Sequence, residues 1–177
     1  MTSMETADRE QLVRLLKSSR KMIVEAAEGL TEEQAKMRPG DDRWSVLECV
    51  EHVGLVEDRM FSAVTTKLTP AEPPADRARE QVIIRGTTDR TRKFAAPEAV
   101  KPSGKFATLA EALGHFESSR ARTISYIENC EHDLRSHTIE HPALGLATGQ
   151  EFALVLALHP ARHALQILET REALGLD

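Results

Sequence analysis

Apolar residues recur at helical spacing in four stretches of the chain. Through "REQLVRLLKSSRKMIVEAAEGL", Leu12, Leu16, Ile23, Ala27 and Leu30 trace one face of a helix, and Leu109, Leu113, Phe116, Ile124 and Ile127 do the same after Thr108. Three of the stretches are announced by Ser or Thr followed three residues later by Glu: "SVLE" at Ser45, "TLAE" at Thr108 and "TGQE" at Thr148. The hydroxyl and the carboxylate of such a box each take up a backbone N–H that a helix start leaves free. Four main helices are therefore predicted near 6–28, 45–67, 108–130 and 149–174.

The connections set the topology. "TEEQAKMRPGDDR" is short, with room for one helical turn before Pro39 and Gly40 end it. The segment near 68–107 is long and carries Pro70, Pro73, Pro74, Pro97 and Pro102, with a possible short helix in "DRAREQVIIRGTTDRTRKF". A link of that length can return the chain along the whole bundle, so the second and third helices are expected to run parallel. The third link, "EHDLRSHTIEHPALGLA", reads as a loop or short extended excursion. The expected fold is all-α: a four-helix bundle with one long crossover connection, a single domain over residues 1–177.

Composition narrows the function classes. The 177 residues are 41% hydrophobic and 29% charged, ordinary for a globular protein with a substantial core. A net charge of −5 disfavours a nucleic-acid partner, which calls for a basic stripe. No apolar run approaches the roughly 20 residues that cross a bilayer. The opening "MTSMETADRE" does not read as a signal peptide, and Cys49 and Cys130 form no CxxC motif or disulfide framework. A cytoplasmic location is expected.

The chemistry is concentrated in "LALHPARHALQILE". Along the fourth helix, Phe152, Leu156, His159, His163, Gln166 and Thr170 follow alternating steps of four and three, the seam of a packed helix. His159 and His163 stack one turn apart, where two imidazoles can grip one divalent ion. A third ligand must come from a facing helix, and "WSVLECVEHVGLVEDRM" offers His52 on a face shared with Glu48, Cys49, Leu55, Val56 and Arg59. His52 lies roughly 10 Å inside its helix start, and the pair lies on the order of 15 to 20 Å before the end of theirs. If the two helices are antiparallel, the three rings fall within about a turn or two of one level. The competing reading is a polar cluster satisfied by water, backbone and Glu48, which leaves ring nitrogens at risk of a penalty of about 1–3 kcal/mol each. Pro160, between the two histidines, predicts a kink, at a special site or simply in a structural helix.

"RWSVLECVEHVGLVE" and "TGQEFALVLALHPARHALQILETREALG" resemble the two signature regions of the DinB/YfiT-like superfamily: a Trp-Ser helix start with a His some eight residues on, and a final helix bearing H-x-x-R-H-x-x-Q-I. Helix number, central crossover and length agree, so the resemblance spans nearly the whole chain. It implies a four-helix bundle holding zinc or nickel through His52, His159 and His163, and frequent homodimers. It also implies an enzyme acting on a small-molecule substrate. Similar proteins include thiol-dependent S-transferases using bacillithiol, mycothiol or glutathione, a thiol-dependent isomerase, and hydrolases. Three ligands leave a position open, where the ion acidifies a water or a thiol. Thiol-dependent transfer, with a low-molecular-weight thiol as co-substrate, is the leading expectation. A metal-dependent hydrolase and a non-catalytic, stress-associated binding protein with a structural His cluster are the alternatives.

Neighbouring residues receive lesser roles. Glu48 reads first as the capping carboxylate, then as a fourth ligand or a group supporting one. Gln166 is a polar seam residue or an orienter of a ligand ring. Cys49 reads as a small core residue ahead of a ligand or reactive thiol, and Arg162 as solvated or touching a dimer partner. His137 and His141 share the i, i+4 spacing, but Pro142 denies them a helix face. His115 and His132 stand alone, and "DRTRK" at 89–93 reads as a solvated face.

Overall fold

The computed structural model describes residues 3–176. Its four long helices are α1 (Thr6–Ala27), α3 (Val46–Thr66), α5 (Leu109–Asn129) and α6 (Gly149–Leu174). Two short helices, α2 (Glu32–Lys36) and α4 (Ala78–Gly86), lie in the first and second links. All three predicted capping boxes form: the Ser45, Thr108 and Thr148 hydroxyls accept from the backbone N–H of Glu48, Glu111 and Glu151, whose carboxylates return to the cap N–H groups. Thr31 and Gln34 build a fourth box at α2. Helix α6 ends at Gly175, whose φ of 64° closes the last turn through N–H bonds from Gly175 and Leu176 to the carbonyls of Glu172 and Arg171.

Cross-helix contacts give the directions. Arg171 near the end of α6 donates to Ala26 O near the end of α1, so these helices are parallel. Gly54 faces Phe116 and, further on, the Tyr126 hydroxyl reaches Val64 O, so α3 and α5 are also parallel. Arg9 at the start of α1 donates to Ile127 O at the end of α5, so the two pairs oppose each other. The bundle therefore runs up-down-down-up, with the segment between α3 and α5 as its one long crossover. Its core joins Leu12, Leu16, Ile23, Val50, Val53, Phe116, Ile127, Leu154, Ala157 and Ile167, all essentially inaccessible.

The link between α5 and α6 takes the extended form of the two expected, a loop or a short extended excursion, and its strands pair. It forms a hairpin of β2 (His137–His141) and β3 (Gly145–Thr148), and the two-residue strand β1 (Thr69–Pro70) adds to β2, giving an antiparallel sheet in the order β1-β2-β3. The sheet closes the end of the bundle where α3 finishes and α6 begins. Only Ile139 of "HTIEH" is buried, so too little alternation marks the strand. The residues leading into β1 and β2 close on the start of α6 at Gly149, where a Cβ would sit 2.8 Å from Leu134 O and 3.0 Å from a Leu68 methyl. Gly149→Ala is expected to cost about 1–3 kcal/mol by overpacking. Urea unfolding measures it, and an unchanged midpoint would remove this account of the close approach.

Candidate metal centre

Helix α3 starts at the Ser45 box, which places His52 almost two turns in, 4% exposed and facing α6. His52 Nδ1 lies 2.7 Å from Val100 O. A carbonyl only accepts, so Nδ1 carries the proton and Nε2 keeps its lone pair. Val100 belongs to a 3-10 turn, Glu98–Val100, in the crossover. The adjacent Glu51, 1% exposed, anchors the same segment by accepting from Ser103 N at 2.7 Å and Lys105 N at 3.2 Å. The Pro-rich crossover is thus fastened to α3 beside the histidine whose tautomer it sets.

On α6, His159 Nε2 and His163 Nε2 stand 3.1 Å apart. The His52 ring centroid is 5.2 Å from that of His159 and 4.7 Å from that of His163. One ligating atom from each of the three rings lies within 4.8 Å of the others. Trp44, just ahead of the Ser45 cap, forms a wall, its ring 4.8 Å from His52 and stacked at 6.4 Å over His163. His52 and His163 are buried, whereas His159 is partly exposed and marks the open side.

The donor set fits a divalent ion. Nitrogens 2.0–2.1 Å from a tetrahedral centre are about 3.3–3.4 Å apart, close to the His159–His163 separation. Without an ion, two neutral Nε2 atoms at 3.1 Å require one ring to donate to the other. Burial holds His52 below the usual imidazole range, against the Val100 carbonyl, which favours its charged form. Burial pushes His159 and His163 well below that range, reinforced by neighbouring rings and by Arg162. All three are neutral at pH 7, the form that ligates metals. His163 Nδ1 is buried with no hydrogen-bond partner among the described residues.

The remaining expected residues fall outside the cluster. Glu48 takes Ser45 N at 2.8 Å and both arms of Arg38, so its carboxylate serves the cap and an ion pair. Burial pushes the Cys49 thiol up to about 12, which keeps it protonated in the core. Gln166 Oε1 accepts from Arg90 Nη1 at 3.2 Å, and Arg90 also grips Glu169 with two contacts of 2.7 Å. Arg90 therefore departs from the solvated face expected for "DRTRK", whose other residues are exposed. Arg162 is likewise not free: it is half-buried, donates to the Thr87, Asp89 and Arg92 carbonyls of its own chain, and lies over Phe94. His115 pairs with Asp58 at 2.8 Å, and His132 packs on His137 with ring centroids 5.4 Å apart. His137 Nδ1 meets Asp133 O, and His141 Nδ1 accepts from Ala143 N and Leu144 N.

Sequence reasoning missed the roles of Val100, Trp44, Glu51 and Arg90. Only Trp44 carried a signal, as part of the Trp-Ser helix start. The others act across the crossover, which has no periodicity to place them.

A sequence model of the DinB superfamily matches residues 15–167. The chain is 21% identical over 144 residues to the uncharacterized protein YuaE of Bacillus subtilis strain 168, covering 81% of this chain and 87% of that one. Its fold is similar to that of YfiT from Bacillus subtilis, described as a probable metal-dependent hydrolase with an unusual four-helix bundle topology. That match has a TM-score of 0.63 and 17% identity, over 100% of this chain and 93% of the other.

Proposed function

Because the chain belongs to the DinB superfamily, we propose that His52, His159 and His163 hold one divalent cation, zinc or nickel, in a metal-dependent enzyme for small-molecule substrates. The observation that carries this reading is the convergence of three neutral imidazoles from two antiparallel helices, with a proton acceptor already assigned to His52 Nδ1. An ion so held supplies a Lewis-acid position that acidifies a thiol or a water. The chain's own residues do the rest. Val100 O directs His52 Nε2 inward, Trp44 excludes water from one side, and the partly exposed edge of His159 leaves the approach for substrate.

Thiol-dependent transfer is the leading reaction class, with a low-molecular-weight thiol as co-substrate. Hydrolysis commonly recruits a carboxylate as general base, and among the described residues the cluster holds none. Glu48 and Glu51, the nearest in sequence, are committed to the cap and the crossover. A thiol needs no such base once the ion lowers its pKa. The hydrolase reading draws on the fold shared with YfiT. The expected homodimer belongs to the same proposal and is checked by light scattering. No helix among the described residues is long and apolar enough to cross a membrane.

Elemental analysis of untagged protein should find about one metal ion per chain, lost in His159→Ala. Metal-loaded protein is then assayed with thiols plus electrophiles and with esters and amides. Turnover of esters or amides alone would replace transfer by hydrolysis. Metal without turnover would favour a binding protein, and no metal at saturating zinc or nickel would overturn the proposal.

A further inference from the structure

Glu51 and His52 are neighbours on α3, and both side chains end on one short piece of the crossover. Successive helical residues project about 100° apart, so the loop from Val100 to Lys105 is gripped from two directions. On one side Val100 O meets His52 Nδ1 at 2.7 Å. On the other, a single carboxylate oxygen of Glu51 accepts from Ser103 N at 2.7 Å, Ser103 Oγ at 3.3 Å and Lys105 N at 3.2 Å. The carboxylate is buried, so these donors rather than bulk water are its partners. Gly104 makes the convergence possible. Its φ of 76° lies in the left-handed region, where the amides on either side can turn toward one acceptor. Only Lys101 and Pro102 separate Val100 from Ser103, and the proline ring fixes its own φ, so the two grips are stiffly joined.

We propose that Glu51 is a positioning residue for His52: by holding Ser103 and Lys105 it fixes the Val100 carbonyl, which accepts the Nδ1 proton and commits Nε2 to the point shared with His159 and His163. Glu51 itself stays outside the histidine cluster and acts through the backbone of the loop. A loop carbonyl orients a ring only as firmly as the loop is held. An acceptor behind a ligating imidazole sets its basicity as well as its direction, so slack in the loop reaches the ion. The inference rests on the metal reading above for its consequence at the ion, but the tautomer of His52 exists without any ion.

Two measurements test it. In metal-free protein, two-bond proton–nitrogen NMR of the histidine rings should show His52 as the Nδ1–H tautomer in wild type and in Glu51→Gln, and as a mixture in Glu51→Leu. Cobalt(II) affinity, measured against a chelator, should fall about 10–100-fold in Glu51→Leu. Glu51→Gln keeps an oxygen for the two amides and should stay within about threefold of wild type on the same scale. Gly104→Ala adds a methyl at an exposed position with nothing within 4 Å, so it strains the turn without touching the core. It should lose affinity in the same direction by a smaller factor, and it carries the test if Glu51→Leu fails to fold. A His52 tautomer unchanged in Glu51→Leu would overturn the proposal, as would wild-type cobalt affinity in Glu51→Leu or Gly104→Ala. So would an equal loss in Glu51→Gln and Glu51→Leu, which would make the charge, not the held loop, the agent. Failure of wild type to bind cobalt would instead count against the metal reading, leaving the tautomers to decide this one.

Discussion

Arg120→Met is expected to lower the stability of the bundle by about 3–5 kcal/mol, the cost of stripping one partner from a buried ion pair. Arg120 is fully buried, and its Nη2 lies 2.7 Å from the Glu57 carboxylate, itself 1% exposed. Burial raises the Glu57 carboxyl above its usual range, against the pull of Arg120 and Thr123. The methionine variant would leave that carboxyl buried without its cation. The same guanidinium serves a second need. Pro160 has no N–H, so the carbonyl of Leu156, four residues earlier, loses its helical donor. Arg120 Nη2 supplies one at 3.2 Å, while Nη1 reaches Ser19 on α1. One side chain of α5 thus ties α1, α3 and α6 together, a turn below His159, and α6 continues as helix through Pro160. For a chain of this size the loss corresponds to a fall in Tm of roughly 6–20 °C. The double variant Glu57→Leu/Arg120→Met should recover much of it, because a well-packed apolar pair can replace a buried salt bridge. Pro160→Ala restores the missing donor, so it should help more in the Arg120→Met background than in wild type. Equal effects of Pro160→Ala in both backgrounds would sink the link between Arg120 and the proline.

That arrangement also shows what could be read from the sequence. Phe116, Arg120, Thr123 and Ile127 follow steps of four, three and four, so a charged residue on the buried seam of α5 was legible in principle. Its partner was not, because Glu57 lies 63 residues away and only the packing of α3 on α5 joins them. The long helices were legible because their signals are local: a cap hydroxyl, a carboxylate three residues on, and an apolar face. The parallel course of α3 and α5 followed from the length of the crossover alone. His52, His159 and His163 could be brought together because each sits at a countable depth in a helix. Val100 and Arg90 could not, since they come from a segment with no periodic pattern and act over 48 and 76 residues of sequence. The small sheet escaped for a similar reason: β1 is Thr-Pro, which becomes a strand only where β2 is already waiting.

Zinc or nickel at a thousand times its Kd is expected to stabilise the protein by about 4 kcal/mol. At roughly 2–4 °C per kcal/mol for a domain of this length, Tm should rise by about 8–16 °C. The effect follows from where the three histidines lie. His159 and His163 are one helical turn apart, but His52 is more than a hundred residues earlier in the chain and joins them only through the antiparallel packing of α3 on α6. The unfolded chain therefore offers the ion a weak pair at best, and binding energy becomes folding energy. His52→Ala should melt somewhat lower than metal-free wild type, having lost its bond to the buried Val100 carbonyl. Its response to added metal should nonetheless shrink to a small fraction of the wild-type shift, and the proper comparison is with its own metal-free melting curve. A chelator should return loaded wild type to the metal-free curve while leaving His52→Ala unmoved. An equal rise in both proteins would place the ion elsewhere. No rise in wild type, at metal concentrations that saturate other three-histidine sites, would leave the cluster as a buried polar contact between two helices.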